Sequence, residues 1–153
     1  MIVKKTPEQI EKMAAAGNVL VKTLNLLRSK VRPGVTTGEL DAAAEKFIRS
    51  HDAEPAFKGY RGFPGSICTS PNSMVVHGIP GPYRLSRGDI LSVDVGVVLD
   101  GWVADAACTF PVGPISTRLL SGMLMPAIRA TASPDAACAV GWSRSPAPRH
   151  GGG

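Results

Sequence analysis

The sequence lacks several features that would assign it to other protein classes. It contains no run of about eighteen apolar residues, so it predicts no membrane-spanning helix. The first residues lack the apolar segment of a signal peptide, and we therefore expect the protein in the cytoplasm. Its three cysteines, Cys68, Cys108 and Cys138, do not have metal-site spacing, which favours free thiols in a reducing compartment.

Basic residues show no clustering of the kind that binds nucleic acid. Of the formal net charge of +5, residues 1–115 carry 13 basic and 11 acidic side chains, and residues 116–153 carry four arginines and one aspartate. No basic stripe alternates with aromatic residues, so no specific nucleic-acid partner is predicted. A chain of 153 residues is long enough to bury one hydrophobic core.

The most informative segment present is residues 91–110, which predict a β-hairpin. Two apolar, β-branched runs flank Asp100-Gly101, a pair that favours a two-residue type I′ turn. This turn sets Leu99 opposite Trp102, and it therefore sets Gly96 opposite Asp105 and Asp94 opposite Ala107. Asp94 and Asp105 are then diagonal neighbours on one face of the sheet, about 7 Å apart at the backbone.

Two carboxylates on an apolar sheet have two interpretations. The pair is costly to hold together unless a cation or a shared proton neutralises it, and a divalent metal ion suits these ligands. Alternatively, Asp94 and Asp105 are ordinary solvated strand residues, since short motifs are often fortuitous.

Two amphipathic helices are predicted before the hairpin. Thr6 with Gln9, and Thr36 with Glu39, have the spacing of capping boxes. The first helix ends before Pro33-Gly34 and the second near Glu54-Pro55, and we expect both to cover one face of a sheet. The apolar positions that repeat at helical spacing in the first helix are Ile10, Met13, Ala14, Gly17, Leu20, Val21, Leu24 and Leu27.

The segment between the helices and the hairpin changes composition. Residues 56–65 are rich in glycine and aromatic residues and predict a loop, which lines a site or packs its own rings. Residues 66–70 and 75–80 predict two short strands. His77 lies at the end of the second, where it is either a structural residue or a proton donor and acceptor beside the carboxylates.

Taken together, these motifs resemble those of one family. Residues 59–64 (GYRGFP), Asn72 with residues 75–80 (VVHGIP), and the spacing from Asp94 to Asp105 closely resemble type I methionine aminopeptidases. The similarity runs from about Thr6 to Pro114. It implies an α+β fold of the pita-bread (creatinase/aminopeptidase-like) type, of which this chain has the first half only: two helices packed on an antiparallel sheet.

The resemblance also implies an activity and residue roles. Members of the family remove the initiator methionine from nascent polypeptides, near the ribosome, using two divalent ions (Co, Mn, Fe, Zn or Ni) held by five side chains. By resemblance, Asp94 and Asp105 are metal ligands, and His77 is a catalytic residue that contacts the peptide group of the substrate. Tyr60, Phe63 and Cys68 correspond to the methionine pocket.

Beyond residue 115 the resemblance ends. The three remaining ligands of the family, one histidine and two glutamates, have no counterpart, because no glutamate follows Asp105 and the only histidine after Asp105 is His150. Residues 116–153, rich in Ala, Pro, Ser, Gly and Arg, are either a low-complexity tail or, as we prefer, a segment read out of frame. We therefore expect residues 1–115 to form half of the domain.

Such a half-domain has three expected properties. It is inactive alone, it binds metal weakly, and it exposes an apolar sheet face through which copies could associate. The alternative to a damaged enzyme is a non-catalytic half-domain that binds peptides or the ribosome.

Overall fold

The computed structural model describes residues 4–116 and the backbone of residues 137–141. Two helices precede an antiparallel sheet. The elements are α1 (Pro7–Lys30), α2 (Thr37–Arg49), β1 (Glu54–Pro55), a 3₁₀ turn (Tyr60–Gly62), β2 (Ile67–Pro71), β3 (Ile90–Leu99), β4 (Trp102–Pro111) and β5 (Ala137–Gly141). The strand order is β1-β3-β4-β5, and β2 pairs with the same edge of β3 as β1 does. Neither described helix has the length and apolar composition needed to cross a membrane.

Both helices begin at the predicted capping boxes. The Thr6 side chain accepts a hydrogen bond from the Gln9 backbone N–H, and Gln9 Oε1 accepts from the Thr6 N–H at 3.0 Å. Thr36 and Glu39 make the same reciprocal pair at the start of α2. These bonds satisfy backbone donors that have no partner within the helix, so the helix starts are determined locally.

The predicted hairpin is confirmed. Asp100 and Gly101 both have positive φ angles, 49° and 78°, as a type I′ turn requires. Leu99 pairs with Trp102, and the register continues through Gly96 with Asp105 and Asp94 with Ala107. Because side chains alternate across a strand, this register assigns every residue of β3 and β4 to one of two faces.

The helices pack against one face of this sheet, as predicted. The buried side chains of that face are Leu91, Val93, Val95 and Val97 from β3 and Ala104, Ala106, Cys108 and Phe110 from β4. Leu20, Leu24 and Leu27 of α1 meet them, and α2 contributes Leu40, Ala44 and Ile48. Two of the predicted apolar positions of α1, Ile10 and Val21, are instead more than half exposed.

Two sequence-based expectations are wrong. Residues 75–80 form no strand: the side chains of Val75 and Val76 are 82% and 62% exposed, and this segment runs as a loop beside β2. Cys108 is disulfide-bonded, whereas Cys68 is free. The register of β4 and β5 sets Cys108 opposite Cys138. The two cysteines are 30 positions apart in the sequence, so the sequence alone did not show that they are neighbours. The predicted strand at 66–70 is confirmed one residue later, as β2.

The predicted boundary at residue 115 remains a prediction. β5 comes from the segment assigned to the tail, and its backbone pairs with β4 from Asp105 to Thr109. Residues 117–136 and 142–153 lie outside the described residues.

Candidate active site

The sheet face opposite the helices carries the two aspartates. Asp94 of β3 pairs with Ala107, and Asp105 of β4 pairs with Gly96. Asp94 and Asp105 are therefore diagonal neighbours on this face. Cys68 of β2 lies directly opposite Asp94 in the antiparallel register. The three side chains therefore come from three adjacent strands, and strand pairing alone brings them together.

A pocket of about 520 Å³ opens above this face. All six predicted site residues line it, so the structure brings the whole predicted set together: Tyr60, Phe63, Cys68, His77, Asp94 and Asp105. Five further lining residues were not predicted: Phe57, Arg61, Gly62, Pro64 and Ile79. The sequence signal for the first four was the aromatic and glycine-rich composition of residues 56–65, which predicts a loop but not the direction of its side chains, and Ile79 was assigned to a strand.

Phe57 forms one wall of the pocket because β3 has a glycine below it. A Cβ atom placed on Gly96 would lie 2.7 Å from Cε1 of Phe57 and 2.9 Å from the Cβ of Ala56. The N–H of Ala56 donates to the Gly96 carbonyl at 3.0 Å, which holds the start of the loop on the strand. The missing side chain of Gly96 thus makes room for the aromatic ring beside Asp105.

The loop returns over the pocket through a tight turn. Gly59 and Gly62 have φ angles of 82°, and the Gly59 N–H donates to the Phe63 carbonyl at 2.8 Å. This closure puts the side chains of Tyr60 and Phe63 at the pocket, with the guanidinium of Arg61 5.5 Å from the Tyr60 ring centroid. The pocket therefore combines aromatic walls with a carboxylate pair.

The carboxylate pair is electrostatically strained. Burial, the negative charge of Asp105 and a hydrogen bond with Asp105 raise the pKa of Asp94 to about 7, against a smaller opposite effect of the Val95 N–H. Burial and then the charges of Asp94, Asp105 and Asp41 raise the pKa of Cys68 to about 11. Cys68 is therefore a neutral thiol near pH 7, and a cation between the aspartates would relieve their repulsion.

His77 reaches the pocket from the loop between β2 and β3. Its backbone is left-handed, with φ of 58°, and its side chain is exposed at the pocket. The sequence predicted His77 at the end of a strand, whereas the structure has it in a loop.

The donor set suits a divalent cation but is incomplete. Two carboxylates are appropriate ligands for such ions. Among the side chains that the structure describes, however, no group of three or more His, Cys, Asp or Glu is arranged to hold a metal ion. The described residues thus provide two carboxylates suited to a divalent cation, without a complete ligand set.

Comparison with known proteins identifies the family. The profile of metallopeptidase family M24 matches residues 11–131. The chain belongs to this family. The methionine aminopeptidase of Clostridium perfringens is 56% identical over 116 residues, and methionine aminopeptidase 1 of Bacillus subtilis is 49% identical over 116 residues. Each match covers 76% of this chain and 47% of the relative.

Solved M24 structures have the same fold. The crystal structure of methionine aminopeptidase from Rickettsia prowazekii superimposes with a TM-score of 0.76 at 44% identity, covering 78% of this chain and 48% of that one. The first-half pita-bread fold predicted from the sequence is therefore confirmed. The chain spans about half the length of the curated relatives that it matches.

Proposed function

We propose that this chain is the N-terminal half of a methionine aminopeptidase, which releases methionine from the amino termini of nascent polypeptides. The observation that carries the proposal is the position of the Asp94 and Asp105 pair beneath a pocket with aromatic walls. An exopeptidase of this type needs both features, a cation site for the reacting carbonyl and an apolar cavity for the terminal side chain.

Each predicted residue has a role in this proposal. Tyr60, Phe63 and Cys68 bind the methionine side chain, since aromatic rings and a neutral thiol make favourable contacts with a thioether. His77 contacts the peptide group of the substrate and stabilises the charge that develops on its oxygen. Asp94 and Asp105 would help to hold two divalent ions, which when bound would polarise the carbonyl and lower the pKa of water.

By itself this half does not complete the site. Asp94 and Asp105 are its only carboxylates at the pocket among the described residues, and no glutamate follows Glu54 in the sequence. A cation held by so few ligands is bound weakly and without defined geometry. We therefore expect negligible methionine release by the isolated chain from the peptide Met-Ala-Ser with Mn²⁺ or Co²⁺ supplied.

A chimera tests the proposed function directly. Residues 1–116 of this chain would be joined to the second half of the Clostridium perfringens relative, which is 56% identical over the shared region. We expect the chimera to release methionine from Met-Ala-Ser in the presence of Mn²⁺, with Asp105→Ala abolishing turnover. The control is Asp52→Asn, because Asp52 is exposed, lies outside the pocket and has a left-handed backbone, with φ of 55°, that asparagine tolerates. A folded chimera without activity would contradict the proposal, as would clear turnover by the isolated chain.

A non-catalytic function is the second candidate. The pocket of about 520 Å³ is formed within the described residues without a complete ligand set, so it could bind a peptide terminus without cleaving it. Calorimetric titration of the isolated chain with Met-Ala-Ser in EDTA distinguishes the two. Binding that is independent of metal and sensitive to Phe63→Ala would favour a peptide-binding half-domain, at the ribosome or elsewhere.

We also infer the cellular setting and the state of the tail. The substrate class implies a cytoplasmic protein acting near the ribosome. The boundary at residue 115 is explained by a change of reading frame. Sequencing the DNA across codons 110–125 tests this: another frame that encodes one histidine and two glutamates downstream would support it, and three frames without them would refute it.

A further inference from the structure

His77 is joined to the sheet through the residue that follows it. Gly78 is buried, and its N–H donates to Oγ of Ser70 at 3.1 Å. Its carbonyl accepts a hydrogen bond from the Thr69 N–H at 2.8 Å. The backbone on the C-terminal side of His77 is therefore held against β2 at two points, whereas residues 72–77 are all exposed.

The contact between Gly78 and β2 is too close for a side chain. A Cβ atom on Gly78 would lie 2.0 Å from the Thr69 carbonyl oxygen. Ser70 is only 3% exposed, so water cannot readily replace its hydroxyl as the acceptor for the Gly78 N–H. A buried N–H that loses its partner costs about 1–3 kcal/mol, which makes this hydroxyl the critical member of the contact.

The backbone of His77 needs such support. A left-handed conformation at a non-glycine residue costs on the order of 1 kcal/mol and persists where surrounding contacts hold it. The hydrogen bond to Ser70 begins at the adjacent peptide unit, so it directly restrains the ψ angle of His77. Its loss would let the peptide rotate and the imidazole leave the pocket.

We propose that Ser70 is a positioning residue, whose hydroxyl holds the Gly78 peptide and thereby directs the His77 imidazole into the pocket. The inference rests on the proposed function, because the orientation of His77 matters for catalysis only if His77 contacts the substrate. Ser70 itself does not line the pocket.

The far end of the same loop is fastened separately. Asn72 Nδ2 donates to Asp89 Oδ1 at 3.0 Å and to the Tyr83 hydroxyl at 3.2 Å, and that hydroxyl donates to Asp89 Oδ2 at 3.1 Å. These groups close the base of the loop at the surface. They do not contact Gly78, so the contribution of Ser70 can be measured with the base of the loop intact.

Ser70→Ala tests the proposal, with Thr69→Val as the matched control. Thr69 is the neighbouring buried hydroxyl, and its Oγ1 has no hydrogen-bond partner among the described residues, so Thr69→Val removes a hydroxyl without removing a loop contact. Hydrogen exchange of the Gly78 amide and the imidazole ¹⁵N and ¹³C chemical shifts of His77 would be measured by NMR, the latter assigned with His77→Gln. Neither readout requires turnover.

We expect Ser70→Ala to accelerate exchange of the Gly78 amide about tenfold and to move the His77 resonances toward those of a solvated histidine. Ser70→Cys, which keeps a weak acceptor at similar volume, should give an intermediate result and serves if the alanine variant unfolds. Thr69→Val should leave both readouts unchanged. Unchanged His77 resonances in both Ser70 variants would overturn the proposal, as would an equal change in Thr69→Val.

The two proposals can fail independently. An inactive chimera would refute the proposed function and leave the NMR result standing. In an active chimera, Ser70→Ala should lower kcat more than it raises KM, because the displaced imidazole acts in the transition state.

Discussion

The raised pKa of Asp94 predicts that the metal-free chain loses stability as the pH rises toward neutrality. An aspartate in an unfolded chain has a pKa near 3.8, and in the fold that of Asp94 is about 7. Because the folded value is higher, the fold favours the protonated form. The stability contributed by that protonation is complete below pH 3.8 and is lost as the pH rises to about 7.

The size of this loss follows from the two pKa values. At about 1.36 kcal/mol per pKa unit, the difference between 3.8 and about 7 corresponds to roughly 4 kcal/mol. Asp94 is only partly buried, so solvent screens part of the effect and we expect about half of this, about 2 kcal/mol. Asp94→Asn keeps the shape of the protonated acid, so it should stabilise the chain by about 2 kcal/mol at pH 8 and change it little at pH 4.

Urea unfolding at both pH values, without metal, measures the effect. The control is Asp52→Asn, since Asp52 is exposed and its left-handed backbone, with φ of 55°, is one that asparagine tolerates. The reasoning would be refuted if Asp94→Asn destabilised the chain at pH 8, or if its effect were the same at pH 4.

Three further predictions follow from the pocket and its surroundings. Gly96→Ala should destabilise the chain by about 1–3 kcal/mol in urea, because the new methyl group meets the Phe57 ring, whereas Gly81→Ala, which meets nothing within 4 Å, should cost less. Calorimetric titration with Mn²⁺ should give weak binding that Asp105→Ala abolishes, and stoichiometric binding below micromolar concentration would contradict the two-ligand site. The exposed apolar side chains of Val75, Val76 and Ile79 should cause self-association, which sedimentation equilibrium would measure. If a Val75→Ser/Val76→Ser variant associates as strongly as the parent chain, this surface is not the interface.

The parts of the fold that were predictable depend on interactions between residues close in the chain. Capping boxes join residues three positions apart, and the Asp100-Gly101 turn defines the pairing of twenty residues because only one register fits a type I′ turn. The alignment of Asp94 with Asp105 on one face follows from that register alone.

The errors have a common physical origin. Val75 and Val76 are β-branched and predicted a strand, yet the preference is realised only where a neighbouring strand accepts the backbone hydrogen bonds. Here the segment is fastened to β2 at Gly78, whose carbonyl accepts from the Thr69 N–H and whose N–H donates to the Ser70 side chain, and the residues before it run as an exposed loop. Similarly, Ile10 and Val21 are apolar but lie beside the stripe of α1 that faces the sheet: Val21 is one residue, about 100° around the helix, from buried Leu20.

The residues of the candidate site also divide into those that the sequence identified and those that it did not. Sequence motifs identified six lining residues by resemblance, and the register explained two of them physically. Phe57 could not be assigned, because the composition of a loop does not specify which ring lies over which glycine, and Ile79 was assigned to a strand that does not form. The roles of the lining residues in binding and catalysis remain predictions for the experiments above.

The sequence by itself determined the two helix starts, the hairpin with its register and the placement of Asp94 and Asp105 on one face, because each follows from hydrogen bonds and side-chain alternation within a few residues. Only the tertiary structure decided that the glycine and aromatic loop closes over those carboxylates, that Gly78 brings His77 to them, and that burial raises the pKa of Asp94. These features depend on contacts between residues far apart in the chain, whose geometry exists only once the helices and strands have packed.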